Sequence, residues 1–219
     1  MAVKSNRISS PDRRIQIIQV AMELFAKQGF QGTTTRQIAE RARVNEAILF
    51  RHFPHKEDLY WAVIEAKCHA TRGRLELEKT LRTSPGPREG LIAVAEAILR
   101  LNAEDPTRSR LFLFSALENH QLSHRFYRAH LARYHQILAG YIRRQVEQGK
   151  FRAMDPRLAA RCFLGMVAHH HQIQELFGGK RYQKFDAHRA CETMADIWLE
   201  GMRSRNGRQH RRKSTNGHR

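Results

Sequence analysis

Cysteine is scarce in this chain. Three residues in 219, Cys68, Cys162 and Cys191, are odd in number and far apart. They fit neither a disulfide framework nor a zinc ligand pattern, so a reducing cytoplasm is the expected compartment. Long apolar runs are missing too. Nothing approaches the roughly 18 uninterrupted apolar residues of a membrane-crossing helix, which predicts no membrane association. The amino-terminal stretch "MAVKSNRISSPDRR" is polar and basic, with no apolar segment behind it to act as a secretory signal. There is no Gly-rich phosphate loop, no spaced carboxylate pair and no nucleophile elbow. These absences argue against an enzyme, and no cofactor motif or metal site is expected.

Acid is also short. Asp and Glu number 21 against 39 Lys and Arg, a formal net charge of +18 and a sequence pI near 10.8. Such an excess points to polyanions, chiefly nucleic acid. The 41% apolar content over this length is enough for a real hydrophobic core. The charge is unevenly spread. The segment after Met202, "RSRNGRQHRRKSTNGHR", carries seven basic residues and no acid, which leaves +11 for the rest. Its composition predicts a basic, disordered extension over 203–219, either a solvated terminus or a source of nonspecific DNA attraction.

The remainder reads as helix. Apolar residues recur at spacings of three and four, and no segment alternates with a period of two. Ile15, Ile18, Ala21, Met22 and Phe25 line a first helix that Gly29 ends. Thr34 followed by Gln37 fits a capping box at the start of a second helix, with Ile38, Ala39 and Ala42 as its buried positions. A third helix is predicted from Asn45 to His52, and Pro54 marks the next start. Further helices are predicted at 56–82, 88–103 and 108–118, then along the Tyr127-to-Ile142 stripe. Asp155-Pro156 opens another, "GGK" at 178–180 breaks it, and the last runs from Asp186 to Met202. The expected fold is all-α. A three-helix head (1–55) joins a larger helical body of about six helices (56–202).

Two short helices joined by a three- or four-residue turn and backed by a longer helix form a helix-turn-helix, whose second helix can enter a major groove. The string "AMELFAKQGFQGTTTRQIAERARVNEAILFRHFPHKEDL" resembles the tetracycline-repressor (TetR) family of transcriptional regulators over about residues 13–60. The likeness rests on Leu24-Phe25-Ala26, Gly29-Phe30, Thr33-Thr34, Ile38-Ala39, Ala42, Val44, Leu49, His52-Phe53, Lys56 and Leu59. The segment "DPRLAARCFLGMVAHHHQIQELFGG" looks like the penultimate helix of many members. The resemblance implies an all-helical homodimer whose body takes a small-molecule effector and whose heads bind a palindromic operator in double-stranded DNA. A repressor is the expected role; an effector-independent architectural or activating DNA-binding protein is the alternative.

Residue by residue, Thr34 or Thr35 stands at a helix start, where a phosphate can meet a hydroxyl and open amides. Lys56 matches the family's phosphate-contacting lysine, and His52 its backbone-contacting histidine. Arg36 has reach for phosphate or a guanine edge. Asn45, Glu46 and Ala47 lead the recognition helix toward base edges, with chemistry suited to adenine, cytosine N4 and a thymine methyl respectively. Three positions depart from the family pattern. Ile48 and Phe50 stand where a hydroxyl residue and a tyrosine are common, and neither side chain has a donor. Phe50 is therefore expected to pack or to touch sugar and thymine, while Arg51 takes over the phosphate grip. Arg43 replaces a turn glycine, at a cost of roughly 1 kcal/mol if the residue is left-handed, which is tolerable if its guanidinium gains a phosphate, so Arg43 is also expected in the grip.

In the body, Phe112, Phe114, Phe126, Tyr127 and Tyr134 suggest an aromatic effector cavity with His169 as an orienting group, although each also suits ordinary core. His169-His170-His171 does not form a facial metal set, because adjacent helical residues point about 100° apart. A seam of Ala159, Phe163, Met166, His170, Ile173 and Phe177, with Cys191, Met194, Trp198 and Met202 on the last helix, suits a four-helix dimer interface. Packing within one subunit uses some of the same residues.

Overall fold

The computed structural model describes residues 9–67, 70–104, 106–118 and 120–203. Among them are eleven α-helices: α1 (Ser10–Gln28), α2 (Thr35–Arg41), α3 (Glu46–His52), α4 (Lys56–Lys67), α5 (Ala70–Thr83), α6 (Pro87–Glu104), α7 (Pro106–Glu118), α8 (His120–Phe126), α9 (Ala132–Glu147), α10 (Pro156–His171) and α11 (Ala187–Met202). The all-α expectation holds, and the described residues include no strand beyond one isolated bridge between Phe151 and Arg203. No described helix is long and apolar enough to cross a membrane. The expected single helix over 56–82 is described as α4 and α5, and Cys68 lies between them, outside the described residues. The basic extension beyond Arg203 also falls outside them.

Local chemistry accounts for the boundaries. The side chain of Ser9 accepts from Asp12 N at the start of α1, where Pro11 occupies the first turn. Asp155 and Asp186 cap α10 and α11 in the same way. Gly149 and Gly178, with φ of 71° and 72°, take left-handed conformations where α9 ends and after Phe177. Two π-helical turns, Tyr127–Leu131 and Gln172–Leu176, interrupt the stretches expected to be regular helix. Each widens the helix locally, and each contains one buried polar residue, His130 and Gln174.

Two compact units divide the chain: Met1–His69 with Asp105–Ala129, and Ala70–Glu104 with His130–Arg219. The helix-turn-helix therefore shares its unit with α4, α7 and α8. That unit is centred on Phe25, Ile38, Leu49, Phe53, Leu59 and Tyr60, all buried. Phe25 and Phe30 meet the Tyr60 ring edge-on at 4.8 and 5.3 Å, and Tyr60 donates its hydroxyl to Leu111 O at 2.7 Å. Burial holds the Tyr60 phenol far above its ordinary pKa, which keeps it a donor.

The second unit is built round one apolar cluster from α5, α6, α9, α10 and α11. Trp198 stands between Phe151 and Phe163, 5.5 and 5.8 Å away, and donates its indole N–H to Ala159 O at 3.1 Å. Phe163, Met194 and Trp198, expected at a dimer interface, are thus buried in the subunit's own core. The reason is that α10 is apolar on more than one face, and Ala160, Phe163, Leu164 and Val167 turn the 163 stripe inward.

Candidate nucleic-acid interface

Thr34 caps α2 with both halves of a capping box: its hydroxyl oxygen accepts from Gln37 N at 3.2 Å, and Thr34 N donates to Gln37 Oε1 at 2.9 Å. The turn that follows α2 is fixed by the backbone. Val44 N donates to Ala39 O and Arg43 N to Glu40 O, at 3.0 and 3.1 Å, the paired closure of a Schellman motif. That closure requires a left-handed residue, and Arg43 takes it at φ 54°, the one described non-glycine with positive φ. Arg43 therefore stands where glycine would be free of strain, and its guanidinium is carried on an exposed residue beside α3.

Asn45 caps α3, its side-chain oxygen accepting from Ile48 N at 2.8 Å. Glu46 follows in the first turn and accepts from the Thr35 hydroxyl at 2.7 Å. Ala47, Phe50 and Arg51 are exposed along the same short helix, Phe50 at 42%, while Leu49 is wholly buried and Ile48 half-buried. An exposed phenylalanine ring beside an exposed arginine gives α3 an apolar and a cationic contact without a hydroxyl donor.

The other expected contacts are less free. Arg36 pairs with Glu40 at 2.9 Å one turn along α2, and that pairing raises the guanidinium pKa. His52 Nε2 is buried with no hydrogen-bond partner, so a phosphate would have to be met by the opposite ring nitrogen. The Lys56 ammonium rests over the Phe30 ring, 4.3 Å from its centroid, and partial burial lowers its pKa.

Four side chains absent from the sequence-based set hold this surface in place. Arg110 on α7 donates to Ala26 O at 2.6 Å, satisfying a carbonyl in the last turn of α1. Glu118 accepts from Gln31 N at 2.9 Å in the loop between α1 and α2. Gln16 donates to Ala42 O at 3.2 Å, supporting the turn itself. Arg14 lies over the Phe53 ring at 4.9 Å. These partners are separated by 26 to 87 residues where hydrogen bonds join them, and no local pattern announces such pairs.

The expected effector residues fall into different surroundings. Phe112 and Phe126 meet at 4.8 Å, Arg110 lies 5.9 Å over Phe114, and the three phenylalanines belong to the first unit with the exposed Tyr127. Tyr134 packs against the core of the second unit, and His169 is exposed there. No group of three or more metal-ligating side chains occurs among the described residues. Of the expected interface residues, Met166 and His170 are half-buried, and Ile173 and Phe177 are 40% and 75% exposed.

Residues 17–63 match the family model described as bacterial regulatory proteins, tetR family, and residues 89–200 match the AefR-like transcriptional repressor, C-terminal domain. The chain is 32% identical over 108 residues to the transcriptional activator FasR of Mycolicibacterium smegmatis, which covers 49% of this chain and 48% of FasR. It is 28% identical over 196 residues to the transcriptional regulator RutR of Escherichia coli, covering 86% and 90%. The chain thus spans about half of FasR and most of RutR. The fold is similar to that of the transcriptional regulator FadR from Bacillus subtilis, solved in complex with stearoyl-CoA, with a TM-score of 0.69 at 22% identity over 86% of this chain and 98% of that one. With a helix-turn-helix built as described and both parts of the chain matched, this protein belongs to the TetR family of DNA-binding transcriptional regulators, a family that binds rather than catalyses.

Proposed function

We propose that the chain is a ligand-responsive repressor of the cytoplasm that binds a palindromic operator as a homodimer and leaves it when a long-chain acyl-CoA binds. The observation that carries this reading is the composition of the first unit. The helix-turn-helix and the aromatic α7–α8 segment belong to one compact body, tied by Tyr60 to Leu111 O, Arg110 to Ala26 O and Glu118 to Gln31 N. A ligand that displaces α7 must break these bonds or carry α1 and its following loop along. Ligand binding and head geometry then share one equilibrium, shifted by the ligand's differential affinity for the two arrangements.

On the DNA side, the Thr34 hydroxyl oxygen accepts from Gln37 N while its hydrogen remains free for a phosphate. Arg43 and Arg51 add exposed guanidinium groups, and the three donors of Lys56 complete the grip beside Phe30. A twofold protein matches a twofold operator, with half-sites about one helical turn or a multiple apart. The dimer is supported by exposed apolar side chains on the carboxy-terminal helices: Leu158, Ile173, Phe177 and Ile197 present 40% to 75% of their surface. A contiguous surface made of such side chains would suit burial against a second copy.

The effector class draws on the stearoyl-CoA bound by the similarly folded FadR and on the apolar character of Phe112, Phe114 and Phe126. The net charge of +18 favours a ligand with several phosphates. Activation is the second reading, favoured by the match to the activator FasR. The test is selection of bound fragments from the host's genomic DNA, followed by fluorescence anisotropy on the recovered duplex with stearoyl-CoA or free CoA added. An inverted repeat whose complex dissociates with stearoyl-CoA but not with CoA is expected. A complex indifferent to both ligands contradicts the effector assignment, and tighter binding on addition favours activation.

A further inference from the structure

An account of the donors and acceptors at the start of α3 narrows what the recognition helix is able to read. The Asn45 side-chain oxygen is already committed to Ile48 N, so the two-point pairing of an asparagine with adenine would have to break the helix cap. Thr35 has a single hydroxyl hydrogen and gives it to Glu46 Oε1 at 2.7 Å, which leaves none for a phosphate. Glu46 retains its second oxygen, Oε2, as an acceptor in the first turn of α3. We propose that Glu46 reads a cytosine in each half-site and that Thr35 is the positioning residue that fixes it for this task. The inference rests on the DNA-reading function proposed above and deepens it.

The chemistry selects cytosine. An ionised carboxylate only accepts, and the major-groove edges of guanine and thymine offer it further acceptors, O6 with N7 and O4. Adenine presents an N6 donor with the N7 acceptor beside it, whereas cytosine presents its N4 donor alone. A carboxylate near phosphates adds nothing to sequence-independent affinity, which is set by positive charge. A base donor is what would make its presence there contribute to sequence preference.

The geometry supplies the fixing. Thr35 lies in the first turn of α2 and Glu46 in the first turn of α3, eleven residues apart across the Arg43 turn, and their hydrogen bond is partly buried. A free glutamate samples three side-chain torsions, and holding it in advance removes an ordering cost from DNA binding.

The test is selection from a randomised duplex library with the full-length wild type and with Glu46→Gln, Thr35→Val and Thr35→Ser, followed by affinities for single-position variants of the recovered site. Wild type is expected to require cytosine at one position of each half-site. Glu46→Gln should lose the cytosine preference, because with its single oxygen held by Thr35 the outward atom is an amide nitrogen that donates rather than accepts. Thr35→Val should keep the motif but lose roughly tenfold of the discrimination at that position alone, with Thr35→Ser restoring it. Equal weakening by Thr35→Val for every sequence makes the bond a structural staple and overturns the positioning role. A motif unaltered by Glu46→Gln overturns the whole inference while leaving the DNA-reading function intact. No enriched motif with wild type overturns both.

Discussion

The two units of the chain differ in the links they add to their buried apolar residues. In the first, distant segments meet through directed hydrogen bonds: Tyr60 to Leu111 O, Arg110 to Ala26 O, Gln31 N to Glu118, Gln16 to Ala42 O and Thr35 to Glu46. In the second, one apolar cluster spans five helices, and its described polar links lie mainly at the surface, such as Arg88 with Asp196 at 2.6 Å and His188 with Glu96 at 2.5 Å. Directed bonds have narrow angular tolerance, whereas apolar packing tolerates changes of shape if volume is kept. A surface that reads base edges needs the first kind of fixing.

The largest effect should come from breaking the apolar side of that contrast. Trp198→Ala removes the ring between Phe151 and Phe163 together with the bond to Ala159 O, and should cost about 3–5 kcal/mol in urea unfolding. A loss of under about 1 kcal/mol would show that the cluster collapses around the gap and is less closely packed than described.

A smaller effect is expected where the directed side depends on backbone. Gly29 ends α1 at φ 77° and ψ 179°, a region open essentially to glycine, and an added Cβ would fall on the Glu118 carboxylate. Gly29→Ala should destabilise the protein by about 1–3 kcal/mol and weaken DNA binding, because the loop before α2 shifts. Glu118→Ala in the same background relieves the clash but not the strained φ, so partial recovery separates the two causes. Thr34→Ala removes half of the capping box and should cost about 1 kcal/mol. Unchanged thermal stability would show that neighbouring groups or water satisfy the Gln37 amide equally well.

The smallest effect sits on the surface of the second unit. The hydrogen bond to Glu96, aided by Glu192, raises the His188 pKa above its ordinary value. A raised folded value means the pair stabilises fully below the unfolded pKa, near 6.5, and loses that contribution as pH climbs through the folded value. His188→Gln should therefore lower the melting temperature slightly near pH 5 and leave it unchanged near pH 9. A difference that grows with pH would reverse the assigned sign.

Sequence and structure agree best where the determinants are local. Thr34 with Gln37, Asn45 before α3, Asp155-Pro156 before α10 and the left-handed Arg43 each depend on residues within five positions of one another. The tertiary pairs were illegible for the opposite reason. Thr35 and Glu46, or Gln31 and Glu118, meet only because helices cross at a particular angle, and nothing at either position records the other. On α10 the spacing of Phe163, Met166, His170 and Ile173 fits a partner-facing seam as well as a core-facing one. Burial of Ala160, Leu164 and Val167 decides between them, and it decides for core at Phe163.

The central claim is that α3 grips DNA without the hydroxyls common in its family, using arginine beside an exposed Phe50. The most direct measurement is the affinity of wild type and Arg51→Ala for the selected duplex across a salt series. Weaker binding by the variant is expected, with a slope of log K against log salt shallower by about 1. A slope identical to wild type would mean that Arg51 touches no phosphate, and the proposed grip would be wrong.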